Sequence, residues 1–183
     1  AAYLILTRLF PTDPRVEKAH ELQLAAERMV MDGQWAEAEQ QFLQALEYTP
    51  DDLMLWTWLG VVREEQGNQA GAEEAFARAR QLADSEVEFL LARGQVYSQV
   101  REGEKAAADA KKAIELEPDS ARAHFVLASA YEVLGKNYEA IQEFQKAADL
   151  AADKDPQLVV LARMRMGMLM QLPSVPFGTE TVT

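Results

Sequence analysis

The sequence contains no cysteine and only two histidines among its 183 residues. Without cysteine there is no disulfide framework, no thiol nucleophile and no thiolate metal site, and the compartment cannot be inferred from redox chemistry. His20 and His124 are far apart in the chain, and no metalloprotease, serine-hydrolase, Walker-type or dinucleotide-binding pattern accompanies them. We therefore expect a protein that is not an enzyme and has no catalytic, cofactor or metal site.

Basic residues are scarce, because 18 lysines and arginines face 30 aspartates and glutamates and leave a formal net charge of −12. A chain of this charge repels phosphates, which argues against nucleic acid as the partner. Its long-range field would instead attract basic partners. The simpler interpretation is a solvated helical surface rich in glutamate.

No apolar run is long enough to cross a membrane, since a transmembrane helix needs about 20 such residues. The N-terminal apolar stretch, residues 1–10 (AAYLILTRLF), ends at the sequence Pro-Thr-Asp-Pro. Because the sequence does not start with methionine, one expectation is that this stretch is the remnant of a removed anchor or signal sequence. The other expectation is a short element that packs on the protein's own surface.

The chain does have a hydrophobic content of 49%, enough to bury a core as one domain, and it has an internal repeat. Three columns of residues recur every 34 residues. The columns are Ala38, Ala72, Ala106 and Ala140; Phe42, Phe76, Ala110 and Phe144; and Ala45, Ala79, Ala113 and Ala147. Three columns in fixed phase across four copies indicate a repeat array.

Each copy carries a set of large and small residues at matching positions, and this set includes the columns. The copies contain Leu22, Ala25, Ala26, Met29, Gly33, Ala38, Phe42, Ala45 and Pro50; Trp56, Leu59, Gly60, Gly67, Ala72, Phe76 and Ala79; Leu90, Gly94, Tyr97, Ala106, Ala113 and Pro118; and Leu127, Ala128, Tyr131, Gly135, Ala140, Phe144 and Ala147. Over residues 19–154 this pattern resembles the tetratricopeptide repeat (TPR) family. The resemblance implies an all-α fold, a right-handed TPR-type α-solenoid of antiparallel helix pairs.

Helix start signals divide the chain further. Asp13 followed by Pro14 is a good N-cap and first helical position, which predicts a helix to about Met31 and a second one to about Tyr48. We expect an N-terminal segment at 1–13, four repeats within 14–154, a capping helix at 155–172 and a flexible tail at 173–183. The predicted repeats are 19–52, 53–86, 87–120 and 121–154.

A few residues depart from the family pattern. Arg101 occupies the turn position at which the other copies have glycine, so we expect a different turn there. Arg63 and Arg93 stand where the family usually has Tyr and Leu. His124 occupies the position of Trp56 two copies earlier, which predicts a packing role.

The capping helix continues the phase of a first helix. This phase predicts a packing face made of Leu158, Leu161 and Ala162. It also predicts that the inner face continues through Val159, Val160 and Arg163. Its four methionines leave the helix apolar on most sides, and such a helix is usually buried, so we expect a protein surface to cover it.

In TPR proteins the first helix of each pair lines a concave surface on which partner peptides lie. The resemblance therefore implies a partner-binding face made of Gln23, Leu24, Glu27, Thr57, Trp58, Val61, Leu91, Ala92, Gln95, Phe125, Val126, Ser129 and Arg163. Because Trp56 belongs to the packing face, Trp58 is expected to point elsewhere and to anchor a partner. The alternative is that Trp58 packs on neighbouring helices.

Some TPR proteins bind acidic C-terminal peptides of heat-shock chaperones through Lys, Asn and Arg on this face. The equivalent positions here are Gln23, Glu27, Val61, Glu88 and Ala92, so this clamp is absent. The remaining groove is expected to be apolar and faintly acidic. It would suit an apolar or amphipathic peptide or helix, with a basic partner as one option.

The resemblance thus implies a non-enzymatic protein–protein interaction scaffold. An alternative is a membrane-tethered subunit or assembly factor of a larger complex, anchored through its N-terminal end. A third hypothesis is a homodimer or larger complex formed through the terminal segments.

Overall fold

The structure, a computed structural model, describes residues 13–171. Residues 1–12 and 172–183 lie outside this range, so the expectations for the N-terminal apolar stretch and the C-terminal tail stay predictions. The described residues form nine α-helices and no strand, which confirms the all-α fold. These are α1 Pro14–Met31, α2 Trp35–Tyr48, α3 Leu53–Glu65, α4 Gln69–Leu82, α5 Glu86–Gln99, α6 Gly103–Leu116, α7 Ala121–Val133, α8 Asn137–Ala151 and α9 Pro156–Met170.

Every odd-numbered helix begins with a side-chain cap. Before α3, the Asp52 carboxylate accepts hydrogen bonds from the amides of Met54 and Leu55 at 2.8 and 3.0 Å. The residues that cap the other odd-numbered helices are Asp13, Ser85, Ser120 and Asp155. Caps of this kind satisfy amides that a first helical turn leaves free, so the start signals in the sequence fix where the first helix of each pair begins.

A tight turn with one left-handed residue joins the two helices of each pair. The residues with positive φ are Gly33, Gly67, Arg101 and Gly135. Arg101 has a φ of 67°, and the amide of Glu102 donates to the Tyr97 carbonyl at 2.8 Å. The amide of Lys136 donates to the Tyr131 carbonyl in the same way at 2.9 Å. The expectation of a different third turn is therefore wrong, because the same hydrogen bonds hold a residue other than glycine in this conformation.

The helices pack as four consecutive pairs, with α9 against α8, and α3, α5 and α7 also contact one another in succession. The first alanine column is buried where the paired helices meet. A Cβ atom added to Gly94 on α5 would lie 3.4 Å from the carbonyl oxygen of Ala106 on α6. The two helices therefore come close to backbone contact at this crossing, with small residues on both sides, so a larger side chain in place of Ala106 must displace its neighbours.

We expect Ala106→Leu to lower the free energy of unfolding by about 1–3 kcal/mol, because the larger side chain overpacks this crossing. Ala108 lies on the same helix but is exposed, so Ala108→Leu is the matched control and should change the free energy by less than about 0.5 kcal/mol. Urea denaturation measures both values. Equal midpoints for the two variants would mean that the helix crossing lies elsewhere.

Arg63 and Arg93 are accommodated because each pairs with a carboxylate on another helix. Arg93 donates two hydrogen bonds to Asp109 at 2.8 and 2.7 Å, and Arg63 donates one to Glu39 at 2.8 Å. Burial alone would raise the pKa of the Glu39 carboxyl. The hydrogen bonds that it accepts from Arg63 and a neighbouring glutamine outweigh burial and lower this pKa below its ordinary value.

His124 is buried and takes the place of a tryptophan. Its Nδ1 lies 2.6 Å from a Glu143 carboxylate oxygen, and its Nε2 lies 3.1 Å from the Pro118 carbonyl oxygen. Two repeats earlier, the indole N–H of Trp56 donates to the Pro50 carbonyl at 2.7 Å. The predicted packing role of His124 is confirmed, and its ring nitrogen makes the same contact that the indole makes.

Candidate partner-binding groove

A cavity of about 500 Å³ opens between α5, α7 and α9. Five residues of the predicted partner-binding face line it, namely Leu91, Gln95, Phe125, Val126 and Ser129. The other lining residues are Ser98, Gln99, Arg122, Val133, Leu158, Leu161 and Arg165. We call this cavity the groove. All its lining residues belong to odd-numbered helices, as the first-helix register predicts.

The walls of the groove are apolar and well supported. Phe125 packs edge-to-face on Phe144 of α8, with ring centroids 5.1 Å apart and an interplanar angle of 64°. Leu91 and Val126 are buried among the core side chains, whereas Leu161 is 42% exposed. The groove therefore has a buried apolar floor on α5 and α7 and an accessible apolar edge on α9.

The polar groups of the groove fall into two kinds. The hydroxyls of Ser98 and Ser129 donate to carbonyl oxygens of their own helices, both at 3.0 Å. Within residues 13–171 the side-chain amides of Gln95 and Gln99 have no hydrogen-bond partner. These glutamines are one helical turn apart, so their amides are available to a bound backbone.

The charges of the groove differ from those of the whole chain. Arg165 pairs with Glu132 at 2.8 Å. Arg122 is exposed and has no ion-pair partner in the part of the chain that the structure describes. No described carboxylate lines the groove. The expectation of a faintly acidic groove is wrong here, since its charged lining consists of arginine.

The predicted residues on α1 do not join the groove. The Gln23 amide donates to the Glu27 carboxylate at 2.8 Å, and Leu24 is 39% exposed. These three residues are absent from the groove lining, as is the buried Ala92 of α5. Part of the predicted face therefore lies away from the recess.

The predicted residues on α3 are buried in the core. Thr57, Trp58 and Val61 each have 0% exposed surface. The Trp58 ring stacks on Phe42 of α2, with centroids 5.5 Å apart and an interplanar angle of 14°. The expectation of an exposed Trp58 is wrong, and the packing alternative holds. Because α3 has helices packed on several sides, positions two residues apart on it can both be buried.

The register of α9 also differs from the prediction. Leu158 and Leu161, expected to pack, line the groove, while Arg163 is exposed and outside its lining. Val159 packs against the core at α7 and α8, whereas Val160 is 63% exposed. The buried position of Ala162 is confirmed.

One side of α9 carries exposed apolar side chains. They are Val160, Leu161, Met164, Met168 and Met170. A shallow depression of about 400 Å³ lies beside Pro156 and Val160. No part of residues 13–171 covers this outer face, so the expectation that protein covers the helix on all sides stays a prediction.

Neither a metal site nor a membrane span is found in the described residues. No cluster of three or more potential metal-ligating side chains occurs in residues 13–171. None of the helices in this range combines the length and apolar character needed to cross a bilayer. The groove itself offers apolar walls, the amides of Gln95 and Gln99, and two arginines, Arg122 and Arg165.

The succession of antiparallel helix pairs defines a helical-repeat protein. A family model described as tetratricopeptide repeat matches residues 31–86 and 91–157. The chain belongs to the tetratricopeptide repeat family, whose members are generally scaffolds for protein interaction. A search of curated proteins found no match.

Several solved structures are similar to this chain. MamA (residues 41 to the end) from Desulfovibrio magneticus RS-1 is 20% identical, with 85% of this chain and 94% of that chain covered and a TM-score of 0.41. YrrB, described as a TPR protein with an unusual peptide-binding site, is 21% identical, with coverages of 80% and 74% and a TM-score of 0.44. A tetratricopeptide repeat protein from Parabacteroides merdae ATCC 43184 is 22% identical, with coverages of 84% and 60% and a TM-score of 0.43.

Proposed function

We propose that this chain is a non-enzymatic scaffold that binds an apolar or amphipathic segment of a protein partner in the groove. The observation that carries this proposal is the combination of an apolar recess with two glutamine amides on α5 that have no hydrogen-bond partner in residues 13–171. The groove's volume of about 500 Å³ lies within the range typical of binding sites, roughly 300–1,000 Å³. Large apolar side chains of a partner would fill it.

The groove suits a peptide because it offers both kinds of peptide contact. Apolar side chains of the partner can pack between Val126 on one wall and Leu158 and Leu161 on the other. The amides of Gln95 and Gln99 can donate to and accept from the peptide backbone. In many peptide complexes, hydrogen bonds to the peptide backbone contribute affinity and side-chain pockets provide specificity.

The alternative function is a membrane-tethered subunit or assembly factor anchored through the N-terminal end. It rests on the apolar sequence of residues 1–10, which lies outside the described residues. A second alternative is a homodimer or larger complex formed through the terminal segments, and the exposed apolar outer face of α9 supports it. Neither alternative requires the groove to bind a partner, so blocking the groove separates them from the proposal.

A blocked groove provides the test. We expect Gln95→Trp to fill the recess without changing the fold, because Gln95 is exposed, and to weaken peptide binding by at least about tenfold. The probes are twelve-residue peptides selected by phage display on the wild-type chain and measured by fluorescence anisotropy. Circular dichroism verifies the fold of each variant.

The matched control is Ala108→Trp, which adds the same side chain to an exposed position on α6. This variant should bind the selected peptides as the wild type does. The proposal is wrong if Gln95→Trp and Ala108→Trp bind all selected peptides equally well.

A further inference from the structure

We infer that the segment bound in the groove carries a side-chain carboxylate next to its apolar anchor, and that Arg122 binds this carboxylate. The inference rests on the proposed function and specifies the chemistry of the partner. It reverses the expectation that the net charge of −12 alone suggests, which is a basic partner.

Arg122 has no structural role that explains its charge. It is exposed and pairs with no carboxylate in residues 13–171. It is the second residue of α7, where the positive end of the helix dipole disfavours a cation. A residue that is unfavourable for its own helix and that lines a recess is a candidate for recognising a ligand.

The repeat itself does not demand arginine at this position. The equivalent residues are His20, Met54 and Glu88 in the three earlier repeats. Glu88 accepts a hydrogen bond from the amide of Asp84 at 2.6 Å, which is a capping contact that arginine cannot make. Arg122 therefore belongs to the groove and not to the repeat pattern.

The surroundings of Arg122 leave its charge available to a ligand. Arg165, the other arginine in the lining, is already neutralised by Glu132. The acidic residues that give the chain its charge are spread over its surface, and salt screens exposed charges beyond about 10 Å at 0.1 M ionic strength. A segment bound in the groove therefore meets Arg122 directly, whereas no carboxylate of the described residues lines the groove.

Guanidinium groups favour carboxylates because two parallel N–H groups match the two carboxylate oxygens. In the groove this pair would form beside apolar walls, where partial desolvation strengthens it. The carboxylate that Arg122 binds belongs to an aspartate or glutamate side chain of an internal segment and not to a chain terminus. Peptides with acetylated N-termini and amidated C-termini test this choice directly.

The experiment compares the binding of three peptide sets to the 183-residue chain. Each set contains twelve-residue, end-blocked peptides with a central Leu or Phe and neutral polar residues, and the sets differ in whether the flanking positions hold Glu, Gln or Lys. Binding is measured by fluorescence anisotropy. The Gln95→Trp variant, whose groove is blocked, gives the signal from binding elsewhere on the protein, and this signal is subtracted from that of the wild type. We expect the Glu set to bind in the groove at least about fivefold more tightly than the Gln set.

Variants at Arg122 assign this preference to one side chain. Arg122→Gln should abolish the preference for Glu, and Arg122→Glu should make the Lys set the tightest. Arg163→Gln is the matched control, because Arg163 is an exposed arginine on α9 outside the groove lining, and it should keep the wild-type preference.

The experiment distinguishes failure of the inference about Arg122 from failure of the proposed function. Binding that Gln95→Trp removes, with equal affinity for the Glu and Gln sets and no response to Arg122→Glu, would overturn this inference while leaving the groove as a peptide site. Binding that Gln95→Trp does not reduce in any set would overturn the proposed function together with this inference.

Discussion

Trp58→Ala is expected to lower the free energy of unfolding by about 3–5 kcal/mol, which is typical for removing a large aromatic side chain from a core. The Trp58 side chain has no exposed surface and stacks on Phe42 at 5.5 Å. Truncation leaves a cavity between α2 and α3 that neighbouring side chains can fill only in part. Urea denaturation monitored by circular dichroism measures the loss.

The indole N–H of Trp58 affects how much stability a substitution at this position costs. It is buried and has no hydrogen-bond partner in the described residues. Leaving a buried donor unpaired costs free energy, so Trp58→Phe, which removes the donor and keeps an aromatic ring, should cost clearly less than Trp58→Ala.

Trp56→Ala is the matched control on the same helix. Trp56 is partly exposed, and its indole N–H donates to the Pro50 carbonyl at 2.7 Å. Its loss should cost about 1–2 kcal/mol, from one hydrogen bond and partial packing. An unchanged urea midpoint for Trp58→Ala, together with loss of binding to the selected peptides, would contradict this account. Trp58 would then be a surface anchor, and the packing of α3 described above would be incorrect.

Asp109→Ala is expected to cost about 3–5 kcal/mol, because it leaves the charge of Arg93 without its partner in a largely buried site. The Asp109 side chain is 9% exposed and accepts two hydrogen bonds from Arg93, whose guanidinium carbon lies 4.9 Å from the Phe89 ring centroid. The Arg93 guanidinium packs on the rings of Phe76 and Phe89, and only 22% of its side chain is exposed, so water replaces the lost carboxylate incompletely.

The double variant Arg93→Leu with Asp109→Ala should recover most of the lost stability, since replacing both members of a buried ion pair by apolar residues is often neutral. A double-mutant cycle in urea measures the coupling between the two residues. Asp51→Ala provides the control. It breaks the exposed pair with Arg78 and should change the free energy by less than about 0.5 kcal/mol. Similar losses for Asp51→Ala and Asp109→Ala would contradict the buried ion pair.

The repeat, the helix starts and part of the groove lining could be predicted from the sequence because each has a local signal. The alanine column marks the close crossings, and Asp or Ser marks the beginning of each odd-numbered helix. The register of the first helices then locates Leu91, Gln95 and Phe125 on one recess. These features depend on contacts that recur in every repeat.

The errors fall where the local signal is ambiguous. The helix α3 is apolar on nearly every side because helices surround it, so the sequence does not reveal which tryptophan is exposed. The same holds for α9, whose apolar residues are distributed around the helix and leave its rotation undetermined. The turn at Arg101 depends on backbone hydrogen bonds that other residues make.

The role proposed for Arg122 was not anticipated, although a signal was present. Comparing equivalent positions gives His20, Met54, Glu88 and Arg122, so the charge at this position changes from copy to copy. Variation of this kind within a repeat marks a residue that packing does not determine. Only the three-dimensional structure shows that Arg122 pairs with no carboxylate within residues 13–171.

Amide chemical-shift mapping with the tightest selected peptide tests the groove most directly. The proposed function predicts that the shifted amides cluster around Gln95 and Ser98 on α5, Ser129 on α7 and Leu158 on α9, while Ala108 on the exposed side of α6 is unchanged. Shifts confined to the even-numbered helices or to the outer face of α9 would contradict binding in the groove.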